Sequence, residues 1–372
     1  MKYYIIAGEA SGDLHGANLM AAIKKLDSKA EFRFWGGDKM QAEGGVLVKH
    51  YKDLAFMGFL EVIQNLRTIL GNLSFCKKDL LAYNPDAVIF VDYPGFNMRI
   101  ARFAKNNNIP THYYISPTVW AWKEGRVKQI KRDVDHLYSI LPFEEKFYAD
   151  RHDYQVHYVG NPLLDALNQI PKVDEVAFRK EYNLSADKPI IALLPGSRKQ
   201  EISKILGVML EVIKDFPSYE FIIAGAPSLE ESFYRQFLDL DQVHFISNKT
   251  YEILSCSYAA LVTSGTATLE TALFKVPQVV CYKANEVSYR IAKALVNLKY
   301  ISLVNLIMDR LVVEELIQDD LNPKRLKLEL EKILDPTYRE EMFSAYHELE
   351  EILGSGGASD LVASKIVDTL PT

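Results

Sequence analysis

Ala87-Val-Ile-Phe-Val-Asp-Tyr-Pro-Gly-Phe-Asn97 joins a short apolar run to a carboxylate and a Pro-Gly turn. Its β-branched and aromatic content reads as a strand over Ala87–Asp92, and longer helical patterns on either side make it one member of a series. Tyr3–Ala7 precedes it, and Thr111–Ile115, His136–Leu141 and Val156–Val159 follow. A second series runs through Ile190–Leu194, Glu220–Ala224, Val243–Ile246, Ala259–Thr263 and Gln278–Tyr282. Strands alternating with helices predict parallel sheets covered on both faces, hence an α/β fold of two doubly wound units. The polar, proline-bearing stretch Gln169–Pro189 is the expected junction. Two such units predict a ligand cleft that both face, because open α/β sheets bind ligands beyond the carboxyl ends of their strands. From Asn285 onward the pattern is mostly helical, over Pro323–Leu334, Pro336–Leu353 and Ala358–Leu370, with a Gly-Ser-Gly-Gly break at Gly354–Gly357.

The bulk properties narrow the function. At 372 residues, 48% hydrophobic and 25% charged, the chain is long enough for two cores of ordinary composition. A net charge of -6 argues against a protein that grips a nucleic-acid backbone, which needs an excess of Lys and Arg. Cys76, Cys256 and Cys281 lie far apart and form no C-x-x-C pair, so neither a disulfide framework nor a structural zinc site is expected, and a reducing cytoplasm fits. The first residues turn polar too early for a signal-peptide core, and no apolar run approaches the roughly 20 residues that span a bilayer. Any membrane contact is therefore expected to be peripheral. The eight histidines show no metal-ligand spacing, so no metal and no cofactor is expected, and no hydrolase G-x-S-x-G elbow is present.

The chemically informative stretches fall just after strands, and each has a plain structural alternative. Gly8-Glu-Ala-Ser-Gly-Asp13 lets backbone amides and a helix start face a ligand, or simply caps that helix. It is neither a P-loop nor a dinucleotide fingerprint. Asp92, at the carboxyl end of an apolar strand, is either a general base whose proton affinity is raised by burial or an acceptor for the Pro94-Gly95 turn. Arg198 in Leu194-Pro-Gly-Ser-Arg198 sets a cation beside a helix start, suited to a diphosphate leaving group, or is an exposed surface arginine. Thr263-Ser-Gly-Thr-Ala-Thr-Leu-Glu270 offers amides and hydroxyls to phosphate oxygens and Glu270 to ribose hydroxyls, or is a capped helix. Leu54–Leu73 is amphipathic, with Phe56, Phe59 or Leu60, Ile63, Leu66, Leu70 and Leu73 at helical spacing and Met57, Val62 and Ile69 beside them. That face either packs on its own sheet or enters a membrane interface. Trp120 and Trp122, followed by Lys123, Arg126, Lys128, Lys131 and Arg132, suit sugars, phosphates or headgroups as well as they suit half-buried packing.

Taken together, GEASGDLHG (8–16), KMQAEGG (39–45), DLAFMGFLEV (53–62), VDYPGFN (91–97), YISPTVWAWKEGRV (114–127), LPFEEKFY (141–148), LLPGSRKQEI (193–202), TSGTATLE (263–270) and YISLVNLIM (300–308) resemble the lipid A disaccharide synthases over nearly the whole chain. The resemblance implies a GT-B fold of two Rossmann-like domains, 1–170 facing the acceptor and the membrane and 171–345 holding the UDP-sugar donor. Helices over 346–372 would pack back on the first domain. It implies an inverting, metal-free glycosyltransferase that joins UDP-2,3-diacylglucosamine to 2,3-diacylglucosamine 1-phosphate, giving a β-1,6-linked disaccharide 1-phosphate and UDP in lipid A and lipopolysaccharide synthesis. Position by position, Asp92 matches the proposed general base and Arg198 a residue of UDP-sugar binding or catalysis. Ser197, Ser264, Gly265, Thr266, Glu270 and Asn305 match the nucleotide site, and Glu9 and Ser11 the first cleft loop. Phe56, Met57, Phe59, Leu60, Ile63, Leu66 and Leu70 match the segment that contacts membrane and acyl chains. A cytoplasmic protein, peripheral on the inner face of the inner membrane, is implied, as is a homodimer exchanging C-terminal segments. One departure is Asn161 in Gly160-Asn-Pro162, where many members carry His, so no proton-transfer role is assigned there. The rival readings are another GT-B UDP-sugar transferase or a UDP-sugar epimerase and, from a different class, a membrane-bound lipid-binding or scaffold protein with a decayed active site.

Overall fold

The computed structural model describes residues 1–54, 66–226, 229–238, 243–285, 289 and 298–370, with residue 66 described by its backbone alone. Two parallel sheets organise them. The first contains β1 (Lys2–Ala7), β2 (Glu31–Gly36), β3 (Val46–His50), β4 (Ala87–Val91), β5 (Thr111–Tyr114), β6 (His136–Ser139) and β7 (His157–Tyr158), in the order β3-β2-β1-β4-β5-β6-β7. The second contains β8 (Ile190–Leu194), β9 (Glu220–Gly225), β10 (Val243–Ser247), β11 (Ser257–Thr263), β12 (Gln278–Tyr282) and β13 (Glu315–Ile317), in the order β10-β9-β8-β11-β12-β13. The chain divides by contacts into one unit of Met1–Asn168 with Leu353–Thr372, and another of Gln169–Ile352.

β4 and β8 are apolar throughout because helices cover both faces of each sheet. Alternate side chains of β1 enter different layers, Tyr4 and Ile6 joining one core and Tyr3, Ile5 and Ala7 the other. In the second unit Ile190, Ala192 and Leu194 of β8 pack with Ile222, Ala260 and Val262 against Ile253 and Leu254. Strands β2, β3 and β13 were not expected from the sequence. Arg33 lies inside β2 and is accommodated by a fork to Asp79, Nε at 2.9 Å and Nη2 at 2.5 Å, while β13 is only Glu315-Leu-Ile317.

Helix Ala358–Asp368 belongs to the first unit, where Val362, Ala363 and Ile366 pack beside Leu19, Met20 and Ile23 of helix Ala10–Leu26. Asp165 tethers its start, accepting from the amides of Gly357 (2.6 Å), Ala358 (3.3 Å) and Ser359 (3.0 Å). Those amides have no partner inside the helix, and a carboxylate also complements the positive end of its dipole. Asp165→Ala is therefore expected to cost about 1–2 kcal/mol, read as a lower urea midpoint with faster amide exchange confined to Ala358–Asp368.

Helix Leu66–Tyr83 buries Leu73, Cys76 and Leu80 against the first sheet and leaves Leu70 exposed. Phe56, Met57, Phe59, Leu60 and Ile63 lie outside the described residues, as does the Leu66 side chain. Among the described residues, no helix is long and apolar enough to cross a membrane.

Candidate active site

Strand order decides where each sheet can hold a ligand. In the first sheet it reverses between β1 and β4, whose helical connections leave to opposite faces and open a crevice at the carboxyl edge. Ala7 pairs with Val91, so Gly8 and Asp92 leave the sheet side by side. Asp92 does not continue the strand, as the sequence reading had it. Its φ is 46° and that of Tyr93 is 51°, two successive left-handed residues without a glycine. Each such conformation is strained for an L side chain and persists only where its surroundings impose it.

The surroundings that impose it are visible. Fully buried Asn97 donates to the carbonyls of Asp92 (2.7 Å) and Ile6 (3.2 Å), Tyr113 Oη donates to Asp92 O at 2.6 Å, and the Asp92 amide donates to Tyr114 O at 3.0 Å. With its backbone held from several sides, the Asp92 carboxyl stands partly buried at the crevice. Burial is the main influence on it, the charge of Glu9 adds to that, and the Tyr93 amide opposes both, leaving its pKa raised to about 6. A carboxylate poised there is ionised at neutral pH yet basic enough to take a proton from a sugar hydroxyl.

Glu9 and Ser11 are exposed around the start of helix Ala10–Leu26, Glu9 as its N-cap residue without a side-chain cap bond. Asp13 of the same motif is turned inward instead, accepting from the amides of Gly37 (2.7 Å), Lys39 (3.0 Å) and Met40 (3.1 Å). Gly8 lies so close to Tyr93 that an added Cβ would sit 2.4 Å from its ring. Gly8→Ala is expected to lose about 1–3 kcal/mol by overpacking and to displace the Asp92–Tyr93 turn, read as a lower urea midpoint.

The second sheet repeats the geometry. Its order reverses between β8 and β11, where Leu194 pairs with Val262. The loops that leave there are Pro195–Arg198 and Ser264–Gly265. They surround a cavity of about 220 Å³ lined by Gly196, Ser197, Glu201, Thr263–Ala267 and Glu270, together with Leu194, Ala224, Ala226 and Thr250. Gly196 needs to be glycine, with φ 109° and a Cβ position 3.0 Å from Glu201 Oε2. Thr263 Oγ1 is buried without a hydrogen-bond partner among the described residues, a polar atom in the cavity wall. Burial raises the pKa of Glu270, and Tyr251 Oη donates to its Oε1 at 3.4 Å. Ser264 Oγ is engaged by Ile301 O at 2.9 Å.

Arg198 is the N-cap residue of helix Lys199–Glu211 and makes no side-chain cap bond. It lies outside the cavity lining, its side chain 68% exposed and paired to Glu201 at 3.3 Å. An exposed pair of this kind is worth little, so the guanidinium can leave it at small cost. Asn305 is fully buried and spends its amide internally. Nδ2 donates to Val313 O (2.8 Å) and Glu315 Oε1 (2.9 Å), and Oδ1 accepts from the amides of Val312 (2.7 Å) and Val313 (3.0 Å). It braces the chain leading into β13. Asn161 caps helix Pro162–Asn168, its Oδ1 accepting from the Leu163 amide at 3.0 Å. Among the described residues, no group of three or more His, Cys, Asp and Glu is placed to hold a metal ion.

Solved structures share this architecture. UDP-GlcNAc 2-epimerase from Neisseria meningitidis, bound to UDP-GlcNAc, superposes with a TM-score of 0.70 at 15% identity, over 99% of this chain and 100% of that one. The glycotransferase of kitacinnamycin superposes with a TM-score of 0.66 at 14% identity, over 100% and 99%. Two doubly wound sheets and a helical C-terminal segment thus define the GT-B fold class. The sequence profile of the lipid-A-disaccharide synthetase family matches residues 3–354. The lipid-A-disaccharide synthase of Syntrophus aciditrophicus is 40% identical, with 96% of this chain and 95% of that protein aligned. Those of Coxiella burnetii (37%, covering 98% and 97%) and Myxococcus xanthus (36%, covering 100% and 98%) align equally fully. The chain belongs to the lipid-A-disaccharide synthetase family.

Proposed function

We infer that the chain is a glycosyltransferase of lipid A biosynthesis, joining two acylated glucosamines at the expense of a UDP-sugar. Family membership over nearly the whole chain supports this over a UDP-sugar epimerase, whose likeness is one of fold alone. The observation that carries the mechanism is that both sheets place their chemically distinctive loops at their own switch points, Asp92 at one and the Pro195–Arg198 and Ser264–Thr266 turns at the other.

In the proposed reaction Asp92 takes the proton of the 6-hydroxyl of 2,3-diacylglucosamine 1-phosphate as that oxygen attacks the anomeric carbon of UDP-2,3-diacylglucosamine. The bond to the diphosphate breaks on the opposite side, which inverts the anomeric centre. Negative charge then gathers on UDP, where Arg198 and the backbone amides at the helix starts near Lys199 and Thr266 stabilise it. Glu270 accepts from ribose hydroxyls, and Ser197, Ser264, Gly265 and the Thr263 and Thr266 hydroxyls border the phosphates. Asn305 serves this site by bracing, and Glu9 by keeping the Asp92 pKa high. Peripheral attachment to the inner membrane fits substrates that are themselves lipids, with the segment from Phe56 through Leu70 as the contact. Leu70 and Phe75 of helix Leu66–Tyr83 are exposed.

Incubating the purified chain with both acyl-glucosamines should release UDP and form a disaccharide 1-phosphate in equal amounts. UDP release that does not require the acceptor, or conversion of the donor to its epimer, would displace this function.

A further inference from the structure

The loop after β5 carries structure that the reaction above does not use. It opens on Ile115, a β-branched residue at φ 67°, and carries a second left-handed residue at Lys123, φ 58°. One of its tryptophans is an anchor: Trp120 Nε1 donates to Glu144 Oε1 at 3.1 Å, and its ring meets Phe143 edge-on at 4.9 Å. Glu144 is itself buried and accepts from the amides of Ile140 and Leu141, so the anchor is fixed to the next helix start.

Trp122 is turned outward, 44% exposed, with Lys123 Nζ 4.0 Å and Arg126 Cζ 5.6 Å from its ring centroid. Among the described residues no carboxylate lies within ion-pair distance of either cation. Glu124, between them, is turned to His152 (3.0 Å) and Arg151 (3.9 Å). Two charges are thus held against an indole and left without neutralisation. They belong to the loop leaving β5, the neighbour of β4, whose last residue Val91 precedes Asp92. Tyr113 joins the two places: its hydroxyl donates to Asp92 O at 2.6 Å and also feels the charge of Arg126.

We propose that Lys123 and Arg126, held by Trp122, bind the phosphate monoester of the sugar acceptor and so bring its attacking hydroxyl to Asp92. This rests on the reading that the acceptor is a sugar 1-phosphate and Asp92 its base. A phosphate monoester approaches two negative charges at neutral pH, matching two unpaired cations, and a guanidinium meets phosphate oxygens through a two-pronged fork. A lipid headgroup offers the same chemistry. The acceptor is favoured because an anchored, backbone-strained loop beside the base fixes a position, which attraction to a membrane surface does not require.

The test compares the full chain with Lys123→Ala, Arg126→Ala and the double variant. Expected are rises in acceptor KM on the order of tenfold to a hundredfold per cation, a donor KM within about twofold of wild type, and loss of the wild-type preference for phosphorylated over dephosphorylated acceptor. Binding is read independently of turnover by titrating glucosamine 1-phosphate against tryptophan fluorescence, where the wild-type response should vanish in the double variant and in Trp122→Phe. A wild-type chain that binds glucosamine 1-phosphate through these residues yet releases no UDP sinks the proposed reaction and leaves this site standing. Unchanged acceptor preference in the double variant, no fluorescence response in wild type, or loss of binding to anionic phospholipid vesicles with acceptor KM unmoved would each overturn it.

Discussion

Asp92→Asn is expected to lower kcat by about 10²- to 10⁴-fold, the usual contribution of a positioned proton acceptor, while UDP affinity stays within about twofold. Asparagine is the informative replacement because it tolerates the left-handed backbone that Asp92 adopts at φ 46°, whereas alanine would add strain to the loss of the carboxylate. The Asn97 and Tyr113 bonds go to the Asp92 carbonyl, so they survive the change. Stability should move the opposite way from activity. The folded pKa of Asp92, about 6, lies above its ordinary 3.8, so ionisation is disfavoured in the fold. The stability linked to this group is full below pH 4 and lost as pH rises through 6. At pH 7 the charged form therefore costs on the order of 1–3 kcal/mol, which asparagine does not incur. A variant that is inactive but melts higher at pH 7, with the gain shrinking toward pH 4, is the expected signature in paired activity and denaturation curves.

Arg198→Ala is expected to lower kcat/KM for the donor by about 10²- to 10³-fold, the loss seen when a donor to developing negative charge is removed. Folding stability should change by no more than about 0.5 kcal/mol. Its pair with Glu201 is exposed, and it contributes no side-chain cap to helix Lys199–Glu211, so the fold asks little of it. Arg198→Lys should recover only part of the rate, since an ammonium supplies charge without the fork. Steady-state UDP release at varied donor concentration separates the three proteins. Equal kcat/KM for all of them would remove Arg198 from the site.

The strands most legible in the sequence are buried on both faces. β4, β8 and β12 contain no charge and sit between helices, so their apolar runs carry the signal themselves. Arg33 hid β2, because nothing local says that Asp79, far along the chain, will receive it. The turns at both switch points were legible for a related reason: tight strand-to-helix connections that bring backbone near a ligand need small residues, and Gly196, Ser264 and Gly265 are small. What those turns hold could not be read locally. Asn97 stands inside the stretch that suggested Asp92, yet its bond to Ile6 O spans 91 positions and exists only once β1 and β4 lie side by side. The backbone turn at Asp92, the buried Thr263 hydroxyl and the internal commitments of Asn305 likewise depend on neighbours supplied by the fold.

Whether Asp92 accepts the acceptor's proton is decided by the pH dependence of kcat/KM in wild type and Asp92→Asn. The acceptor phosphate titrates near pH 6 as well, so the residual rate of the variant records that titration alone. Well below pH 6, kcat/KM of the wild type should fall by about a hundredfold per unit and that of the variant by about tenfold; parallel acid limbs in the two proteins would contradict the assignment.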